Sequence, residues 1–249
     1  MTAIEPDYYI SLAMLSIFLG KDPMDESQRC FELLRAGDYD GIRRLLDQTP
    51  TAAEFKDASG VSLLMHALYR GQRDLAEIIA GKKQELDIFE ASALGSLDRL
   101  EKCLSDASAI DSFSKDGFTA LHFACYFGQP ASARLLIESG AKIDIVANNP
   151  TQVMPLHSAA SSRNLEAARS LVEHGAPVNA RQQAGWAPIH AAAQNGDTDM
   201  IKLLLAHAAD ADIANDDGKT PAMIAREKGH SGIAAALETA KSKSWSQGT

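Results

Sequence analysis

Adjacent aliphatic residues recur along this chain as pairs: Leu45 and Leu46, Ile78 and Ile79, Leu135 and Leu136, Leu171 and Val172, Leu203 and Leu204. Each pair follows a slot filled by Gly37, Gly71, Gly128, Gly196 or, once, Arg163; Gly95 and Gly229 complete the series. The slots are spaced 34, 24, 33, 35, 33 and 33 residues apart. Four residues before each stands a small or aliphatic residue: Leu33, Ala67, Ala91, Ala124, Ala159, Ala192 and Ala225. An apolar position one turn before a glycine and an apolar pair two turns after it predict a short helix, a tight turn and a second helix. The second helices end at Gly140-Ala141 and Gly175-Ala176, where glycine can supply a left-handed cap.

No single helix pair can bury such a stripe, but stacked neighbours can. The pattern therefore predicts an all-α solenoid of about seven helix-turn-helix repeats over residues 25–240, as one domain. Residues 241–249 are expected to be a disordered polar tail. Residues 1–24 are expected to form a capping helix and linker, because residues 8–19 are a continuous apolar run with Asp7 able to cap its start and Gly20 its end. Acids, Glu5 and Asp7, precede that run where a secretory signal would carry basic residues. As a helix it spans about 18 Å, against about 30 Å of bilayer hydrocarbon. It is read as a shield on the open side of the first repeat, with a membrane tether as the alternative.

The third feature is Pro155, Pro188 and Pro221, 33 residues apart, with His157 and His190 at the same interval. Around them run Asp116-Gly117-Phe118-Thr119-Ala120-Leu121-His122, Met154-Pro155-Leu156-His157, Gly185-Trp186-Ala187-Pro188-Ile189-His190 and Asp217-Gly218-Lys219-Thr220-Pro221-Ala222. These stretches resemble the ankyrin-repeat family over nearly the whole chain, and from Ile88 onward they look like its bacterial members. The resemblance implies short β-hairpin fingers before each first helix, a capping Thr hydroxyl, Pro in the first turn and a His bonded to nearby backbone. Thr at the cap and Pro at the first helical position are favoured on physical grounds as well. Repeats one and three lack the finger pattern, and the 24-residue interval means that about nine finger residues are missing from repeat three. The finger over residues 146–153 is two residues longer than its neighbour and lacks the glycine. Met154 and Ala187 stand where Thr would cap, an expected loss of about 1 kcal/mol each.

Charge and chemistry narrow the function. A net charge of −9 excludes nucleic acid or an anionic bilayer as the main ligand, since both select basic surfaces. Three cysteines, Cys30, Cys103 and Cys125, show no paired spacing, which suits a reducing, cytoplasmic compartment without disulfides or a zinc site. Histidines repeated at the layer interval lie about 9–10 Å apart, whereas zinc needs nitrogens about 2 Å away. No nucleophile elbow, phosphate-binding glycine loop or HExxH run occurs. The expectation is a protein with no cofactor, no metal and no catalytic residue.

The resemblance then implies a partner protein in the groove made by fingers and first helices. The finger position is Val61, Phe118, Val153, Trp186 and Lys219, and the exposed ends of first helices include Tyr69-Arg70, Tyr126-Phe127 and Gln194-Asn195. The expected partner-binding residues are thus Val61, Tyr69, Arg70, Phe118, Tyr126, Phe127, Val153, Trp186, Gln194 and Asn195. Aromatics and Arg dominate binding hot spots, and this set holds five aromatics and one Arg.

Overall fold

The computed structural model describes residues 26–246. The apolar run at 8–19, the linker up to 24 and the last three residues of the chain lie outside them. Fourteen α-helices occur among the described residues, in seven pairs: α1 (Glu26–Ala36) with α2 (Tyr39–Gln48), α3 (Leu63–Tyr69) with α4 (Arg73–Lys82), α5 (Ile88–Leu94) with α6 (Leu97–Cys103) and α7 (Ala120–Tyr126) with α8 (Pro130–Glu138). The series continues with α9 (Pro155–Ser161) and α10 (Leu165–Glu173), α11 (Pro188–Asn195) and α12 (Thr198–Ala206), and α13 (Pro221–Glu227) and α14 (Ser231–Ser246). The last helix runs on through Ser246, so residues 241–246 are helical rather than the start of a disordered tail.

The residues expected to form one domain fall into two compact units, Met1–Lys83 and Gln84–Thr249. The division falls at the 24-residue interval, where repeat three has lost its finger. In the first unit Cys30, Leu34, Ile42, Leu46, Leu63, Leu64, Leu75 and Ile79 are buried together across two repeats. In the second, neighbouring first helices pack in series from α5 through α13, and second helices from α6 through α12. Leu136, Leu171 and Leu204, eight residues after their turn slots on α8, α10 and α12, are fully buried at the same register, and Leu100 on α6 is fully buried about one turn earlier. The aliphatic pairs are not equivalent, however. Ile78 remains 37% exposed beside its buried neighbour Ile79, contrary to the expectation that both members of each pair are buried. Two adjacent helical residues are 100° apart, so only one of them can point straight at the core.

Local chemistry starts the helices. Asp38, Ser62, Asn164, Asp197 and Thr220 each accept a backbone N–H two or three residues into the helix. Repeat three has a full capping box: Asp87 accepts from Glu90 N–H at 2.9 Å, and Glu90 accepts from Asp87 N–H at 3.2 Å. Met154 and Ala187 have no oxygen to offer. There the third helical N–H, from His157 or His190, bonds the cap carbonyl at 3.0 Å instead. Arg163 and Ala208 occupy turns with φ of 59° and 65°, the left-handed region that glycine fills in sister repeats.

The fingers are hairpin turns rather than strands. Among the described residues, one isolated antiparallel β-bridge occurs, between Lys56 and Ser62 at the base of the 57–61 finger. Each finger is closed across its base by a backbone bond: Asp57 N–H to Val61 O, Ser114 to Phe118, Ala147 to Val153, Gln182 to Trp186 and Asn215 to Lys219, at 2.8–3.0 Å.

Candidate protein-binding face

In the second unit the fingers are also bonded to one another. Asn148 N–H donates to Gly117 O at 2.8 Å, Gln183 N–H to Thr151 O at 3.1 Å, and Asp216 N–H to Ala184 O at 3.0 Å. The same register position of each finger donates to the finger before it. Gly117 is at φ +84°, and a Cβ there would run into the Asn148 carbonyl, so both the turn and the close approach require glycine.

The histidines complete this frame. The Nδ1 atom of His122, His157 and His190 accepts the cap N–H of Thr119, Met154 and Ala187 at 3.3, 3.1 and 2.9 Å. Each Nε2–H donates into the next finger: His122 to Val153 O at 3.0 Å, His157 to Ala180 O at 3.0 Å, His190 to Lys219 O at 3.3 Å. An N–H on one side and a carbonyl on the other fix the neutral tautomer. Burial lowers all three pKa values, to about 4 for His122 and His157, more than the carbonyl bonds can restore. Glu90 takes the histidine position in repeat three and accepts the cap N–H in the same way.

On this frame the expected site residues separate into kinds. Tyr126 is 52% exposed, and Gln194 is exposed in the equivalent slot two repeats on. Ser161 and Glu227 are exposed at the remaining slots, so one row of first-helix ends faces solvent along α7, α9, α11 and α13. Phe118, Phe127, Val153 and Trp186 are only half-exposed. Phe118 packs edge-on to Phe123 at 5.7 Å, and Phe127 stacks on Phe123 at 6.2 Å; Phe123 itself is buried and meets Phe89 at 6.0 Å. Tyr126 lies against Phe127 at 5.2 Å. Trp186 instead leans on His190 of its own repeat at 5.5 Å. The aromatics expected to line one groove are therefore a cluster on repeats three and four and a separate ring on repeat six. Asn195 is taken up in structure: its amide donates to Ala160 O at 3.2 Å and Ser161 O at 3.0 Å, and its carbonyl accepts from Arg163.

Val61, Tyr69 and Arg70 belong to the first unit. Tyr69 and Arg70 are exposed, while Val61 is half-buried and donates to Asp57 Oδ1 at 3.0 Å. Partial burial opposes ionisation of Asp57. Bonds from the Ser59 hydroxyl, the His66 ring at 2.7 Å and the Val61 and Ser59 N–H groups outweigh that and hold the carboxyl well below its usual range. The Asp57–His66 pair is nine residues apart in sequence and carries no short-range signal. The Asp87-x-x-Glu90 box did carry one.

No group of three or more His, Cys, Asp or Glu residues able to hold a metal occurs among the described residues. Burial pushes the Cys30 thiol up to about 11 and raises Cys125 as well, so neither is a ready nucleophile. No described helix is long and apolar enough to cross a membrane.

Comparison with known proteins agrees with this geometry. The family model described as ankyrin repeats (3 copies) matches residues 88–182 and 156–243. Over 148 residues, 58% of this chain, the sequence is 27% identical to an ankyrin repeat domain-containing protein SAT10 from Stachybotrys chartarum, covering 8% of that protein. It is 32% identical over 103 residues to SMC5-SMC6 complex localization factor protein 1 of Bos taurus, 41% of this chain and 10% of that one. It is 39% identical over 87 residues to BCL-6 corepressor-like protein 1 of Homo sapiens, 34% of this chain and 5% of that one. The match thus spans a tenth or less of these relatives' length. They are fungal and mammalian, and lend nothing to the expected bacterial affinity.

Proposed function

We propose that this chain, which belongs to the ankyrin-repeat family, is a non-enzymatic module that binds another protein through its fingers and first-helix ends. The observation that carries the reading is the exposed row Tyr126, Ser161, Gln194 and Glu227, one residue per layer, with an aromatic cluster behind its first member. A row fixed to a hydrogen-bonded frame loses little entropy when a partner docks. An exposed Tyr seated on Phe is the kind of rigid anchor that dominates interface energetics. Family members bind proteins in general, and two of the matched relatives are named as a complex localization factor and a corepressor-like protein. Three free cysteines support a reducing compartment such as the cytoplasm.

Affinity capture separates this reading from a purely structural role for the row. Tyr126→Ala/Gln194→Ala changes two exposed side chains, so the melting temperature should stay close to wild type while partner binding weakens about tenfold or more. A partner held equally by both forms, verified as folded by circular dichroism, moves the binding face elsewhere. Phe127→Ala and Trp186→Ala are poorer probes, since their packing on Phe123 and His190 makes them lose stability as well.

A further inference from the structure

The finger ladder has a vacant position. By register, Lys115 N–H is the counterpart of the Asn148, Gln183 and Asp216 N–H groups, each of which donates to the carbonyl of the preceding finger. Repeat three has no finger: five residues connect Lys82 to Ile88. Lys115 is exposed, and its N–H makes no hydrogen bond among the described residues. Beside it Phe113 is 41% exposed, and Phe118 is half-exposed. The floor is aromatic, because Phe118 packs on Phe123 and Phe123 on Phe89 of repeat three's own first helix.

We propose that the outer edge of the 114–118 finger receives an extended segment of a partner protein, which supplies a carbonyl to Lys115 N–H and an apolar side chain to Phe113 and Phe118. This rests on the protein-binding reading above and names what binds at its repeat-four end. The chain itself shows the chemistry that fits. The three residues whose carbonyls fill the ladder are Gly117, Thr151 and Ala184, none larger than threonine. A bulky apolar residue follows each by one or two positions: Phe118, Val153 and Trp186. At Gly117 the approach is so close that even a Cβ is forbidden. The segment that fits is thus a small residue followed, one or two positions on, by an aromatic or aliphatic one. Main-chain pairing supplies affinity and the side-chain pocket supplies selectivity, as in other edge additions.

Lys115 is also well placed for a test. Gly117 N–H bonds Ser114 O at 3.0 Å, which makes Lys115 the second residue of a β-turn, a position where proline is favoured. Lys115→Pro therefore deletes the N–H and keeps the turn, and Lys115→Ala keeps both. The probe is a synthetic peptide copying residues 181–189, titrated into the full chain labelled with nitrogen-15. The proposal expects the Lys115 amide resonance to shift, its hydrogen exchange to slow about tenfold or more at saturation, and Lys115→Pro to weaken binding about tenfold while Lys115→Ala leaves it within about twofold. Replacing the peptide's small residue by Leu, larger than any residue in the ladder, should abolish the shift. Equal binding by Lys115→Pro, or no binding by wild type, overturns the proposal. Binding that shifts Tyr126 and Gln194 but not Lys115 also overturns it, and leaves the wider face standing. If Lys115→Pro melts well below wild type, the amide shift and the Leu peptide decide alone.

Discussion

The stability of the second unit should fall steeply as pH drops from 7.5 to 5. His122 and His157 are held neutral, with pKa values lowered to about 4 by burial, whereas in the unfolded chain they take up protons near the ordinary value of about 6.5. Their contribution is fully present above pH 6.5. It declines as the unfolded state gains protons that the folded state refuses, and the decline stops near pH 4, where the folded histidines titrate. The slope is about 1.4 kcal/mol per pH unit for each histidine, so the pair accounts for about 4 kcal/mol between pH 6.5 and 5. Protonation has a definite structural consequence, since a proton on Nδ1 would face the backbone N–H that this atom now accepts. His190 is shifted in the same direction and adds to the effect. Asp57, shifted downward, contributes stability that disappears only as pH falls below about 4, outside this window. Urea unfolding at pH 7.5 and 5.0 reads the result. A midpoint that does not move contradicts the neutral-histidine frame, and His157→Gln should reduce the slope by about one histidine's share.

Leu204→Ala should destabilise the protein by about 2–5 kcal/mol, and Leu135→Ala by clearly less. Leu204 is fully buried on α12 and leaves a cavity between stacked helices when truncated. Leu135 is partly exposed beside its fully buried neighbour Leu136. Because each repeat is stabilised mainly by its neighbours, the Leu204 cavity should loosen repeats six and seven before the rest. Hydrogen exchange resolved by residue would show protection lost first in α11 through α14. Equal losses for Leu135→Ala and Leu204→Ala would mean that the aliphatic pairs are equivalent, as the sequence pattern alone suggests and the Ile78–Ile79 pair already denies.

The repeats are legible in the chain because glycine slots, aliphatic pairs and cap residues act locally. Arg163 could be placed in a glycine slot by spacing alone, and the structure shows its φ at 59°. Pairwise packing of aromatics is not local. Phe118, Tyr126, Phe127 and Trp186 look alike as exposed positions in a repeat alignment. Phe89 and Phe123, from two repeats and without any motif, decide which of them are half-covered. The finger ladder is nearly silent, since backbone N–H and C=O groups are present at every residue, and Gly117 is its clearest trace in side-chain identity. Asn195 shows the same limit. A polar residue at an exposed helix end reads as a contact for a partner, but its amide bridges to Ala160 and Ser161.

The central claim, that the row of first-helix ends is the binding face, is tested most directly by photo-cross-linking. A benzophenone side chain placed at Tyr126 or Gln194 should capture the partner. The same group at Arg134 or Arg169, exposed on second helices α8 and α10, should not. Adducts at Arg134 or Arg169 without adducts at Tyr126 or Gln194 would contradict the account.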